Sequence, residues 1–202
     1  LLMAEDEAVS MGHTTLSMIE YSRIALFEKS TGEIDNVIES EKIVDDLDDR
    51  IENFIKMIDQ DSLSRVEKTR LSVLNHGISD IERIADHANN IGEIAKMRIE
   101  KKVHFSEKAV EELNEIFDLA YESMELCIDI IKEMDEKTIA RILEIETSVD
   151  QITVNLEESH LERLEEGECM PEAGPLYTEV IRNLERITDH THNIAKAKKI
   201  GF

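Results

Sequence analysis

Apolar residues recur along almost the whole chain at steps of three and four, the period that gives a helix one inward face. Between positions 34 and 58 that step is kept by Ile34, Val37, Ile38, Val44, Leu47, Ile51, Phe54, Ile55 and Ile58. Six such segments predict six helices, at about 3–29, 34–59, 64–100, 106–134, 137–166 and 172–199. Their ends carry ordinary signals. Thr31-Gly32 reads as the stop of the first helix and Asp61-Ser62 as the break before the third. Ser106-Glu107 reads as the start of the fourth, and Gly167 as the stop of the fifth. The two prolines, Pro171 and Pro175, mark the corner before the sixth. Gly77 and Gly92 interrupt the third helix, where glycine costs stability, and predict places of close packing. The methionines fall at helical spacing and read as core filling. Short connections between long amphipathic helices predict antiparallel neighbours.

The polar positions add a second pattern. The segment ERIADHANNI (82–91) returns 103 positions later as ERITDHTHNI (185–194), with seven of ten residues identical. Glu41 and Asp45 return as Glu146 and Asp150, at an offset of 105. The apolar frame around them, Ile34, Val37, Ile38 and Ile51, matches Ile139, Ile142, Leu143 and Leu156. A duplicated unit is therefore expected, residues 1–102 and 103–202, each a bundle of three helices. The fold class is all-α.

An amphipathic helix needs repeated apolar positions but not repeated polar ones, so matched polar residues point to a matched chemical task. Glu-x3-Asp-x3-Asn places three oxygen-bearing side chains on one stripe, one turn apart. Carboxylates brought together from adjacent helices repel one another unless protons or cations neutralise them. Bundles hold iron or manganese with such groups. Asn90 and Asn193, on the third rung, are expected to support the acids by hydrogen bonds more than to bind an ion. Arg83 and Arg186 stand beside the acids, to pair with them or to meet a phosphate. His87 and His190 follow the Asp and point about 100° away, so a structural hydrogen bond is expected of them. His192 has no histidine counterpart, because Asn89 stands there in the first copy. Glu157 and His160 fit the Glu-x-x-His step of di-iron bundles, but that step occurs once and a ferritin-like oxidase wants two.

Charge narrows the partners. With 46 acidic and 23 basic residues the chain carries a net charge of -23, which excludes a nucleic-acid partner and favours cations or a basic protein. Acidic pairs four apart are common in so acidic a chain, and only their recurrence singles these out. No apolar run approaches the roughly 18 residues of a membrane span, and no signal peptide is visible. Cys127 and Cys169 are too few for a disulfide framework, which fits a reducing compartment. Cys127 falls on an apolar stripe and reads as core, and Cys169 in a loop reads as incidental. There is no phosphate loop, nucleophile elbow or His-Glu-x-x-His, so no enzyme is expected. The chain opens on Leu1, not Met, and is expected to be a piece of something longer.

The segments IERIADHANNI (81–91) and LERITDHTHNI (184–194), with the two Glu-x3-Asp pairs, resemble the PhoU family of phosphate-uptake regulators over nearly the whole chain. The resemblance implies two tandem three-helix bundles, a spectrin-like six-helix arrangement, and multinuclear clusters of transition-metal ions, iron or zinc. By that resemblance Glu41, Asp45, Glu82 and Asp86 hold one cluster, and Glu146, Asp150, Glu185 and Asp189 the other. The stretch from Glu166 to Gly174 is similar to the PhoU-like tail of sodium/phosphate cotransporters, which implies a membrane domain upstream. The implied role is regulation of a membrane phosphate transporter or its regulatory kinase from the cytoplasm, at the inner face of the membrane. Membrane association would be indirect, and the long helices leave room for a homodimer. Two rivals stand beside this reading: a metal-free acidic scaffold for a basic partner, and a carboxylate-bridged di-iron oxidase dependent on His160.

Overall fold

The computed structural model describes residues 1–167 and 170–200, so Cys169 lies outside the described residues. Six helices follow one another: α1 (Leu2–Glu28), α2 (Thr31–Met57), α3 (Arg65–Glu100), α4 (Glu107–Lys132), α5 (Glu136–Glu165) and α6 (Ala173–Ile200). A short 3-10 turn, Gln60–Ser62, precedes α3. The starts are set by side chains that satisfy otherwise orphaned N–H groups. Ser106 accepts from the Ala109 N–H at 3.2 Å and Asp135 from the Thr138 N–H at 2.8 Å. At α3, Ser64 and Glu67 form a reciprocal capping box, with bonds of 3.3 and 2.9 Å.

One predicted boundary is displaced. Thr31-Gly32 does not end α1 but forms the first turn of α2, because Ser30 caps that helix by accepting from Glu33 N–H at 3.4 Å. The chain reverses one residue earlier, at Lys29, which takes the left-handed conformation (φ 56°) that usually falls to glycine. Pro175 sits in the first turn of α6, where a missing N–H leaves no bond unmade.

Helices α1, α2 and α3 pack as one bundle and α4, α5 and α6 as a second, joined where α1 meets α4 and α3 meets α6. The two joints are antiparallel. On α1, Arg23 reaches Asn114 at 2.9 Å and Asp118 at 2.7 Å, while Asp6 pairs with Lys132 at the other end of α4. Arg98, buried at the end of α3, donates to the Leu26 carbonyl and lies 4.4 Å over the Phe105 ring, which fastens the α3–α4 connection. One continuous apolar core runs through both bundles and includes Met18, Ile19, Ile84, Ile91, Ile116 and Phe117. Cys127 belongs to it, as expected, and burial pushes its thiol up, out of the reactive range.

Two other expectations are half met. A Cβ on Gly92 would stand 3.2 Å from Val37, so this glycine does let α2 and α3 approach closely. Gly77 does not serve that purpose, because nothing lies within 4 Å of its Cβ position; it faces a cleft instead. Met11, Met18 and Met124 fill the core, but Met3 and Met57 stand in solvent at helix ends where no neighbour covers them. Among the described residues no helix is long and apolar enough to cross a membrane.

Candidate metal centres

Helices α2 and α3 bring the first acidic set to one groove. The Val37–Gly92 contact fixes their separation, and the half-buried Glu41 and Glu82 face the more exposed Asp45 and Asp86 across it. Their charges act on each other. Burial, then the charges of Asp45 and Asp86, hold the Glu41 carboxyl above the ordinary glutamate value, against a bond from Asn89 Nδ2 at 2.5 Å. Burial, then Asp86, Asp48 and Asp45, do the same to Glu82. Among the described residues none of the four forms an ion pair with arginine or lysine.

Helices α5 and α6 repeat the arrangement. Burial, then Asp189, Asp150 and, more weakly, Glu157 raise the Glu185 carboxyl. Here the imidazole of His192 stands 3.3 Å from Glu146, out of line for a hydrogen bond. His192 and Asn89 occupy equivalent places on α6 and α3 and meet equivalent glutamates. The first copy has no histidine there, as expected, but Asn89 reaches its glutamate from the same position and, unlike His192, donates a hydrogen bond to it.

The supporting residues divide. Arg186 lies 3.5 Å from Asp189, beside the acids as expected. Arg83 turns instead to Asp80, at 4.0 Å, because that residue is one turn back on its own helix. Asn90 does not support the acids; it donates across the joint to Asn183 at 3.2 Å. Asn193 is exposed and makes no hydrogen bond among the described residues.

His87 and His190 are structural, as their direction implied. His87 Nδ1 lies 2.9 Å from the Asn183 amide oxygen, and His190 Nδ1 lies 2.9 Å from the Asp80 carboxylate. Asp80 and Asn183 are equivalent positions, so each repeat sends its histidine to the matching residue of the other. The two imidazoles stack at 5.5 Å, 23° from parallel, where α3 crosses α6. Extending the polar echo two residues upstream would have found Asp80 and Asn183.

Sequence reasoning passed over Asp48 and Glu52. They line a polar cleft with Asn75, Ser79 and Glu82, one to two turns beyond the repeated acids. Burial, then Glu52 and Asp49, raise the Asp48 carboxyl. Asp48 has no repeated counterpart, since Thr153 stands at the equivalent position, whereas Glu52 returns as Glu157, a match that could have drawn attention to it. His160 has turned away from any acid groove. It is buried 5.0 Å from the Tyr177 ring, beside the Arg163–Glu112 pair, and its Nε2 points at Gly174.

The donor set fits hard or borderline cations: carboxylate oxygens, one added imidazole and mutual repulsion, which in the first groove the charge of Arg83 offsets only in part. The side chains stand apart, as like charges do. Among the described residues no three His, Cys, Asp or Glu groups converge closely enough to hold an ion without side-chain movement.

Known proteins share this fold. A model of the PhoU domain matches residues 8–95 and 113–197, one match in each repeat. The chain is 25% identical over 162 residues to the phosphate-specific transport system accessory protein PhoU homolog 1 of Thermotoga maritima, covering 79% of this chain and 68% of that one. The crystal structure of PhoU from Pseudomonas aeruginosa superimposes with a TM-score of 0.91 at 18% identity, over 100% of this chain and 96% of that one. The phosphate transport system regulatory protein PhoU from Streptococcus pneumoniae gives 0.85 at 18% identity, over 98% and 93%. Its duplicated bundle matched in both halves, the chain belongs to the PhoU family.

Proposed function

We propose that the protein is a non-enzymatic regulator of phosphate transport, acting on a membrane phosphate transporter or on that transporter's regulatory kinase. The match of the PhoU domain to both repeats carries this reading, supported by a relative whose name places it in a phosphate-specific transport system. The protein works at the cytoplasmic face, beside its membrane partner. Expression in a bacterium stripped of its own PhoU-type regulators is expected to restore phosphate-dependent control of uptake, followed with radiolabelled phosphate. Uptake that stays unregulated, with the chain folded and abundant, would falsify the proposal.

Within that role the two acid grooves hold transition-metal ions, iron or zinc. Glu41, Asp45, Glu82 and Asp86 bind in one groove, and Glu146, Asp150, Glu185 and Asp189 in the other. Bound ions supply the positive charge that lets these carboxylates share one groove. Asn89 and His192 orient Glu41 and Glu146. Elemental analysis of chain purified without chelators is expected to find more than one ion per chain, and Asp86→Ala or Asp189→Ala to lower the count. An unchanged count in both variants removes the assignment. The lack of convergence among the described carboxylates favours a second reading, a metal-free acidic face docked on a basic partner. That reading requires a metal-free chain that remains active in the uptake assay.

A further inference from the structure

One end of the bundle gathers the starts of α1, α3 and α5 and the ends of α2, α4 and α6, with Glu133, Asp135 and Glu136 exposed on its α4–α5 side. The pairing of Glu5 with Arg70, 2.7 Å, and the bond from Lys198 to the Ile131 carbonyl fix that register. The five most exposed large apolar side chains among the described residues all stand here: Leu2 (72%), Met3 (68%), Met57 (78%), Val66 (66%) and Ile200 (76%). Exposed hydrophobics scattered singly need no explanation; a group at one end does.

The charges at this end are also out of character. Most of its acids on the α1–α3 side are matched: Glu5 by Arg70, Asp6 by Lys132, Glu7 by Arg50 and Glu52 by Lys56. Glu67 is held by the cap at Ser64, which leaves Asp59 and Asp61 in the turn. Arg65, Lys68, Lys196 and Lys199 form no ion pair among the described residues, although acids outnumber bases 46 to 23 in the chain. Arg65, Lys68 and His76 share one stripe of α3. With Val73 and Ile200 they line a shallow groove against α6 that contains no carboxylate among the described residues.

Apolar side chains beside unmatched cations are what a lipid interface requires, the first for the acyl boundary and the second for headgroup phosphates. An acidic protein segment would use the cations and leave the apolar group uncovered. A second copy would set like charges against each other. Glu82, the nearest of the repeated acids on α3, lies about 25 Å along the helix from Arg65. That is beyond a screening length of about 8 Å. We propose that this end docks directly on an anionic phospholipid surface, Arg65, Lys68 and His76 meeting headgroup phosphates while Val66 and Ile200 enter the interface. This contact is independent of the metal assignment and of the phosphate-transport reading.

Co-sedimentation of the full chain with vesicles tests it. Binding is expected to vesicles of phosphatidylcholine mixed with phosphatidylglycerol, weakening as salt rises, and not to phosphatidylcholine alone. Arg65→Glu with Lys68→Glu should weaken it at least about tenfold. Val66→Asn with Ile200→Asn should weaken it as well, whereas Lys101→Glu with Lys108→Glu, at the opposite end, should not. All six positions are exposed or at helix ends, and far-ultraviolet circular dichroism confirms folding. Equal binding to both vesicles, or binding indifferent to the Arg65/Lys68 reversal, overturns the proposal. So does calorimetric binding of inorganic phosphate or polyglutamate by a chain that ignores anionic vesicles.

Discussion

Glu112 shows how one half-buried charge is held. Its carboxylate accepts from Arg163 at 2.8 Å, Tyr177 at 2.7 Å and Ser159 at 3.2 Å. Burial alone would raise its pKa, but these bonds and the Arg163 charge outweigh it, and the carboxyl sits below the ordinary value of 4.5. A carboxyl depressed by folding contributes stability above the unfolded value and loses it as pH falls through the folded one. Acid unfolding should therefore steepen below pH 4.5, and Glu112→Gln should flatten that portion of the curve. The same variant strands a buried arginine and should cost about 3 kcal/mol at neutral pH, measured by urea unfolding. At this scale the chain was hard to read. Glu112, Arg163 and Tyr177 lie on three helices, and no periodicity links residues that meet only after the helices pack. The same blindness hid the Asn89–Glu41 bond, since an asparagine and a histidine look unrelated until both are seen on equivalent glutamates.

Helices were far more legible, because their period and their caps are local. Ser64, Ser106 and Asp135 each start a helix within a residue or so of the predicted place. The displaced boundary at Lys29 arose where a left-handed residue that is not glycine took the turn. Of these caps the box at Ser64 is fully formed, and Ser64→Ala should cost about 1 kcal/mol. The loss should appear as faster amide exchange confined to the first turns of α3. A different expectation attaches to Gly92. Its Cβ position stands 3.2 Å from Val37, so Gly92→Leu forces α2 from α3, with a cost of about 1–3 kcal/mol. Thermal unfolding measures that cost, and Val37→Ala in the same chain should recover part of it.

The whole molecule follows from duplication, which is why two tandem bundles could be anticipated from an echo of ten residues. The two acid sets were equally visible, being repeated. Their placement across grooves needed the packing of α2 on α3 and of α5 on α6, which spacing alone does not specify. If ions bind only the folded chain, they must also stabilise it. Adding iron or zinc to chelator-treated protein should raise the melting temperature, and the rise should shrink in Asp86→Ala and Asp189→Ala. No rise at saturating metal would count against both grooves.

The stacked imidazoles join these grooves mechanically. Asp86 and His87 are consecutive on α3, as Asp189 and His190 are on α6, so a rotation that turns one acid inward swings its neighbour against the other repeat. Were either groove to close on an ion by such a rotation, the stacked rings would carry the push to its twin, so that occupancy of one site would be felt at the other.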